Sequence, residues 1–280
     1  MGFLKEEKST WQRRQIVIMK VLYAGDACTK LGPVFIASPF NLEMKGMSHH
    51  VWGQPLIDAL KSDGNEVTHM TNEQAIADFP RTVEELSQYD VIIISDCECE
   101  VLSLYPFWIP GTPLPRTNRL KAIREFTRQG GGLLMIGGWT SFSGRFGHGG
   151  YYDTPVEEAL PVNCLKGLDD RVETPEGATV RIKKPDHPIV RGIPWEDAPL
   201  FEGFNKIIPK DGAEVIATIS DGEKEYPLIV TWTFGRGRAM AFASDCSPHW
   251  AQYFQPWEHY GQFWCQAIKW LGSNSARTNP

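Results

Sequence analysis

Two short runs constrain this chain more than anything else in its sequence. Residues 90–95 read DVIIIS and residues 132–136 read GLLMI. Each carries consecutive apolar side chains instead of an alternation. A strand of that kind is buried on both faces, which is the environment of a parallel sheet covered by helices. The segments around them agree. Residues 20–25 (KVLYAG) form another short apolar run, and 66–70 reads as a further strand. Between these two, 51–62 has one apolar helical face with Gly64 as a stop, and after 66–70 a second helical stretch ends at 86–89. Leu120, Ile123 and Phe126 share a face over 117–129, and Gly130 supplies the left-handed cap. The alternation predicts an α/β fold, a doubly wound and mostly parallel sheet flanked by helices, with right-handed crossovers. Ligands of such sheets bind beyond the carboxyl ends of the strands. Here those ends are Asp26, Asp96 with Cys97, and the turn 137–139.

The second half is more broken. Strands are expected at 178–182, 214–218, 227–233 and 238–244, the last two joined by a hairpin turn at 234–237. A closing helix over 258–271 presents a wide apolar stripe from Tyr260 to Leu271. The expected organisation is a leader at 1–19, one domain over 20–272 with an insertion or subdomain at about 151–208, and a polar tail at 273–280.

A chain of 280 residues with 42% hydrophobic content can build a core without disulfides or metals. Its net charge of -6 argues against a nucleic-acid partner, which needs a concentrated basic face. Six scattered cysteines, of which only Cys97 and Cys99 are close, lack the paired spacing of a zinc site and fit a reducing compartment. No metal and no cofactor are expected. No segment approaches a membrane span, and residues 1–19 lack the apolar core of a secretory signal, so a cytoplasmic location without membrane contact is expected.

Several stretches in order carry a family resemblance: DVIIISD at 90–96, GGGLLMIGGW at 130–139, GWTSFSG at 138–144, TPVEEALPV at 154–162, DHPIVRG at 186–192, GRGRAMAFASD at 235–245 and SPHW at 247–250. Over roughly residues 20–272 the chain resembles the class I glutamine amidotransferase-like superfamily, with its flavodoxin-like sheet, and within it the putative glutamine amidotransferase family. More distantly it resembles the ThuA-like trehalose-utilisation proteins. Working class I amidotransferases carry a cysteine in a G-x-C-x-G-x-Q turn, where a strained elbow exposes the nucleophile beside backbone amides. Here the turn reads Ile136-Gly137-Gly138-Trp139-Thr140-Ser141, without cysteine. The expected His-x-Glu pair is also missing, since Ala251 stands two residues after His249. The resemblance therefore implies the fold, and a protein without conventional glutaminase activity.

The candidate catalytic residues are His249, Asp245 and Cys97. Asp245 can orient the His249 imidazole as a general base, or simply cap its turn. Cys97 can replace the missing nucleophile if a dipole or cation lowers its pKa, but Asp96 and Glu98 oppose that. The candidate ligand-binding residues are Asp26, Asp96, Trp139, Thr140, Ser141, Arg145 and Trp250. Asp26 and Asp96 can hold a metal, share a proton, or, as favoured here, accept amides of their own loops. Thr140 and Ser141 follow the elbow, Arg145 lies with His148 on the glycine-rich loop 143–150, and Trp108, Trp139 and Trp250 offer ring platforms. His49 and His50 stand together ahead of the first helix. The expected ligand is a small polar molecule, carbohydrate-related on the strength of the ThuA-like resemblance. A hydrolase or isomerase using His249 with Cys97 or an aspartate, and a non-catalytic assembly module that self-associates, are the rivals.

Overall fold

The apolar runs fold into adjacent strands. The computed structural model describes residues 18–30, 34–37, 42–45, 48–104 and 116–275. Nine strands form the main sheet: β1 (Lys20–Gly25), β2 (Glu66–Met70), β3 (Val91–Ser95), β4 (Gly132–Ile136), β5 (Arg171–Ile182), β6 (Phe201–Asn205), β7 (Glu214–Ser220), β8 (Glu225–Phe234) and β9 (Gly237–Phe242). Their spatial order is β6-β5-β7-β8-β9-β4-β3-β1-β2. Strands β2, β1, β3, β4 and β9 run parallel to their neighbours, while β8, β7, β5 and β6 are joined on antiparallel.

The sheet is thus mixed, and the expectation of a mostly parallel one is corrected. The antiparallel block begins at the hairpin between β8 and β9, where Phe234 pairs with Gly237. The following strand enters the sheet from a tight turn, so no crossover helix is needed. Residues 151–208, read from the sequence as an insertion or subdomain, supply β5 and β6 to the edge of the same sheet. Residues 27–51, where no strand is expected from the sequence, contain two short antiparallel pairings: Ala27–Lys30 with Ser48–Val51, and Val34–Ala37 with Leu42–Lys45. Four-residue strands are too short to print a period on the sequence. Residues 1–17 of the expected leader, Trp108, and residues 276–280 of the tail lie outside the described residues.

Among the described residues eight helices accompany the sheet: α1 (Gln54–Ser62), α2 (Asn72–Asp78), α3 (Val83–Leu86), α4 (Cys99–Ser103), α5 (Arg119–Arg128), α6 (Pro155–Ala159), α7 (Pro248–Ala251) and α8 (Tyr260–Gly272). In the parallel block the chain steps from β1 outward to β2, then back past β1 to β3 and β4. Right-handed crossovers then put α1 on one face and α2 to α5 on the other. The packing follows: α1 lies on α8, whereas α5 packs on α3, α4 and α6. Local chemistry sets the ends. Thr71 and Gln74 close a reciprocal capping box on α2. The buried Arg119 donates to the Ile76 and Ala77 carbonyls at the other end of α2.

The core confirms why the two runs do not alternate. Val91 to Ile94 and Leu133 to Ile136 are all fully buried. Burying each such side chain contributes about 1.5–3 kcal/mol. Phe242 on β9 extends this core into an aromatic cluster with Phe201, Phe254, Phe263 and Trp264. The order in which strands are added reverses between β1 and β3, which leaves a crevice beyond their carboxyl ends.

Candidate functional site

The crevice is built from residues that end strands. Asp26 follows β1 and Asp96 follows β3, and both have left-handed backbone, with φ of 46° and 40°. Few non-glycine residues take that conformation, although Asp tolerates it better than most. Each aspartate is held by its neighbours. The Asp26 N–H donates to the Ser95 carbonyl at 3.0 Å, and the Asp26 carbonyl accepts from Trp52 and Gly53. Asp96 Oδ1 accepts the Thr140 N–H at 2.8 Å, and the Asp96 N–H donates to Ser141 Oγ at 3.0 Å.

The turn after β4 is shaped around Asp96. Gly138 has a φ of 145°, and a Cβ there would lie 2.3 Å from Asp96 Oδ1. Asn205 clamps this turn from the other side, accepting from Gly138 N–H at 2.9 Å and donating to its carbonyl at 3.0 Å. After β9 comes Asp245, whose Oδ1 accepts the Ser247 N–H at 2.8 Å.

These ends surround a cleft of about 590 Å³ lined by Asp26, Ala27, Cys28, Trp52, Asn72, Asp96, Trp139, Thr140, Ser247, Pro248 and His249. Of the residues singled out from sequence, Asp26, Asp96, Trp139, Thr140 and His249 meet here. Asp245 is fully buried, and its Oδ2 is 3.6 Å from His249 Nδ1. That distance is too long for a hydrogen bond, and neither atom has another partner. Geometry alone suggests an ion pair, but burial drives both groups neutral. The Asp245 carboxyl is pushed well up by desolvation and then by Asp26, and desolvation pulls His249 down to about 4. Trp139 meets the His249 ring edge-on at 4.6 Å, and Trp250 stacks on its other side at 4.7 Å.

Other candidates sit elsewhere. Ser141 is buried and spends its hydroxyl on the Asp96 amide. Trp250 is buried, with its indole N–H donated to Glu173 Oε2 at 2.9 Å. Arg145 lies over the Trp139 ring at 4.7 Å, outside the cleft lining. Cys97 is fully buried, and desolvation followed by Asp26 pushes its thiol far above the reactive range. Its carbonyl takes the Tyr151 hydroxyl at 2.7 Å, so its segment is structural. His50 stacks on Trp52 at the rim, with ring centroids 5.0 Å apart, and pairs across a hairpin with Cys28.

Sequence reasoning missed Tyr23, Trp52, Asn72 and Cys246. The Tyr23 hydroxyl donates to Asp26 Oδ2 and lies 3.6 Å from Cys246 Sγ, itself 3.5 Å from the same carboxylate oxygen. Asp26, Asp245 and Cys246 offer one ligand atom each within 4.8 Å of one another, all buried. Strand adjacency gathers them from opposite ends of the chain, which no local spacing announces. Desolvation raises the pKa of Asp26 and, more strongly, those of Asp96 and Cys246; Asp245 and Asp26 add to the rise at Asp96, and Asp26 and Asp245 to that at Cys246.

Comparisons with known proteins match the fold. A cytoplasmic protein, STM3548, from Salmonella typhimurium has a solved structure with a TM-score of 0.81 and 33% identity, covering 90% of this chain and 99% of its own. A second cytoplasmic protein, STM1381, from Salmonella typhimurium LT2 gives 0.79 and 32%, with the same coverage of 90% and 99%. A "putative thua-like protein" from Bacteroides uniformis shares the fold at a TM-score of 0.55 and 14% identity, covering 100% of this chain and 99% of its own. A search of curated proteins finds no match. The family model described as "Putative glutamine amidotransferase" matches residues 35–273, and the chain belongs to that family.

Proposed function

We propose that this chain keeps the amidotransferase-like fold without the usual cysteine nucleophile and binds a small, neutral, hydroxyl-rich molecule in the cleft. The observation that carries this reading is a set of buried hydrogen-bonding atoms with no partner. Asp26 Oδ1, Asn72 Oδ1 and His249 Nδ1 belong to residues lining the cleft, and all three are unpaired. Buried polar atoms are nearly always paired, so a wall of orphan acceptors points to a ligand that brings donors. Hydroxyl groups meet that need, and the Trp52 and Trp139 rings, each over a third exposed, offer faces for the C–H surface of a sugar. No Lys or Arg is among the described lining residues, and Asp26 and Asp96 stand there, which disfavours an anion. The volume suits a mono- or disaccharide-sized molecule. The ThuA-like resemblance agrees with a carbohydrate.

The elbow supports the loss of glutaminase chemistry. The Asp96 carboxylate occupies the space into which a side chain on Gly138 would project. His249 favours a second reading, that the bound molecule is also transformed. Held near pKa 4, its imidazole is a free base at neutral pH on the cleft wall. A cytoplasmic location is part of the proposal, supported by the two Salmonella proteins so described; among the described residues no helix is long and apolar enough to cross a membrane.

Calorimetric titration with a panel of neutral mono- and disaccharides, glutamine and sugar phosphates tests the reading. The expected result is saturable binding of a neutral saccharide, weakened at least about tenfold by Trp139→Ala, as for loss of one stacking contact. Binding of the sugar phosphates alone, or glutamate release from glutamine that disappears in Cys97→Ser, would overturn it.

A further inference from the structure

Beneath the cleft lies a second unsatisfied arrangement that the proposed ligand does not explain. Asp245 is fully buried and does not line the cleft, so a saccharide hydroxyl does not reach it. Its Oδ2 nevertheless has no partner. Elsewhere in the chain buried carboxylates are fully served. Asp90 takes the Lys20 N–H on one oxygen and the Ser275 hydroxyl on the other. Glu157 takes the Asp153 and Cys164 amides. Protonation alone does not repair the defect, because a proton on that oxygen needs an acceptor, and His249 Nδ1 at 3.6 Å is beyond hydrogen-bond distance. A single cation held between Asp245, Asp26 and the adjacent Cys246 thiol meets that need.

We propose that Asp26, Asp245 and Cys246 bind one divalent transition-metal ion, zinc by preference, at the floor of the cleft. Their ligand atoms already lie within 4.8 Å of one another. Two carboxylates with one thiolate form a donor set that magnesium and calcium, which take oxygen, do not match; a soft sulfur ligand selects zinc or its neighbours. Three protein ligands leave one tetrahedral position, the pattern of open zinc sites, and Asp26 lines the cleft, so that position faces the ligand space. The Tyr23 hydroxyl on Asp26 Oδ2 orients that carboxylate, as outer-shell partners do at metal sites. Binding displaces the Cys246 thiol proton and any protons held on the two carboxyls. These pass to solvent, so uptake strengthens as pH rises.

The site also reverses the electrostatics of the floor. Without a cation, Asp26, Asp96 and Asp245 oppose one another's ionisation. A divalent charge among them stabilises the anionic forms of Asp26, Asp245 and Cys246 together.

Metal-free protein titrated with zinc chloride tests the proposal, with bound metal measured after gel filtration. One equivalent retained, proton release on binding, and a raised melting temperature are expected. Cobalt(II) in place of zinc is expected to give a thiolate-to-metal charge-transfer band that Cys246→Ala abolishes. The near-isosteric Asp245→Asn is expected to lose zinc affinity by more than about tenfold while its far-UV spectrum is unchanged; it decides the matter if Cys246→Ala does not fold. No zinc retained by the parent protein, or the same stoichiometry and cobalt spectrum in both variants, overturns the proposal, the latter by moving the ion to ligands such as Cys28 and His50. Saccharide binding is measured on the same metal-free protein, so either reading can fail without the other.

Discussion

Two buried carboxylate sites stand on either side of the turn after β4, and they differ in how fully they are served. Asp170 accepts the Ser143 N–H on Oδ2 at 2.9 Å, and the Gly144 N–H and Asn205 side chain on Oδ1 at 3.0 and 2.7 Å. Asn205 passes the tie on to both polar groups of Gly138. Across that glycine, Asp26 and Asp245 each leave one oxygen without a partner. Both sites bury acid at similar depth. The first converts burial into a rigid turn, because every lone pair pointing inward meets a donor. The second leaves its electrostatic demand open, which is how binding and catalytic sites differ from structural ones.

The comparison breaks most visibly by deletion. Asp170→Ala strips acceptors from two backbone amides and from Asn205 in a dry interior. A loss of about 3–5 kcal/mol in urea-melt stability is expected, the range for breaking a buried charged network. Asp245→Asn is expected to be neutral or to stabilise the metal-free protein by about 1 kcal/mol, since it removes a costly buried acid and keeps an acceptor for the Ser247 amide. If Asp245→Asn costs as much as Asp170→Ala, the distinction between a tied and an open site fails.

The two sites also differ in how far the sequence shows them. The parallel block was legible because DVIIIS and GLLMI can be comfortable only when covered on both faces. The strand ends it implied, Asp26, Asp96 and the 137–139 turn, do border the cleft. The antiparallel block was legible only as separate strands. The hairpin at 234–237 was visible, but nothing local says that β5 and β6 extend the same sheet, since edge pairing is decided by long-range packing. Asn205, the residue that ties Asp170 to the turn, has no motif around it. Cys246 stood beside a named candidate, yet its contact with Asp26 and Tyr23 exists only because β9 and β1 share a sheet. Trp250 looked like a platform because it lies near a strand end, where ligands of such sheets bind. Its Glu173 partner, on a strand far away in sequence, turns the indole inward.

A smaller effect separates the sites by pH. Asp170 is pushed up to about 6 by burial, against the pull of Asn205 and the Ser143 and Gly144 amides. Asp245 is also raised, by burial and by Asp26. For an acid whose folded pKa exceeds its unfolded value of about 3.9, the unfolded chain ionises first as pH rises. Stability is therefore lost from about pH 4 upward until the folded pKa is passed, near 6 for Asp170. His249 acts oppositely. Its folded pKa of about 4 lies below the unfolded value of about 6.5, so it costs stability as pH falls through that interval. Differences against variants separate these contributions. Chemical melts at a series of pH values are expected to show that Asp245→Asn flattens the fall above pH 4. An unchanged slope would mean that Asp245 is ionised in the folded protein.

The smallest expected effect is at His249, and it sharpens what an open site means. The imidazole is partly exposed, touches Trp139 and Trp250 through ring faces and edges, and forms no hydrogen bond to Asp245. His249→Ala is thus expected to change stability by less than about 1 kcal/mol, as for a side chain that fills no core position and ties no network. Its titration, followed by NMR on the metal-free protein, is expected to have a midpoint near 4, set chiefly by desolvation. A midpoint above 6.5 would require an ionised Asp245 beside it, because the upward pull of Glu173 and Glu202 is already contained in the midpoint near 4. The pair would then be a true ion pair, Asp245 Oδ2 would no longer want a partner, and the floor of the cleft would be as closed as the Asp170 site it is set against.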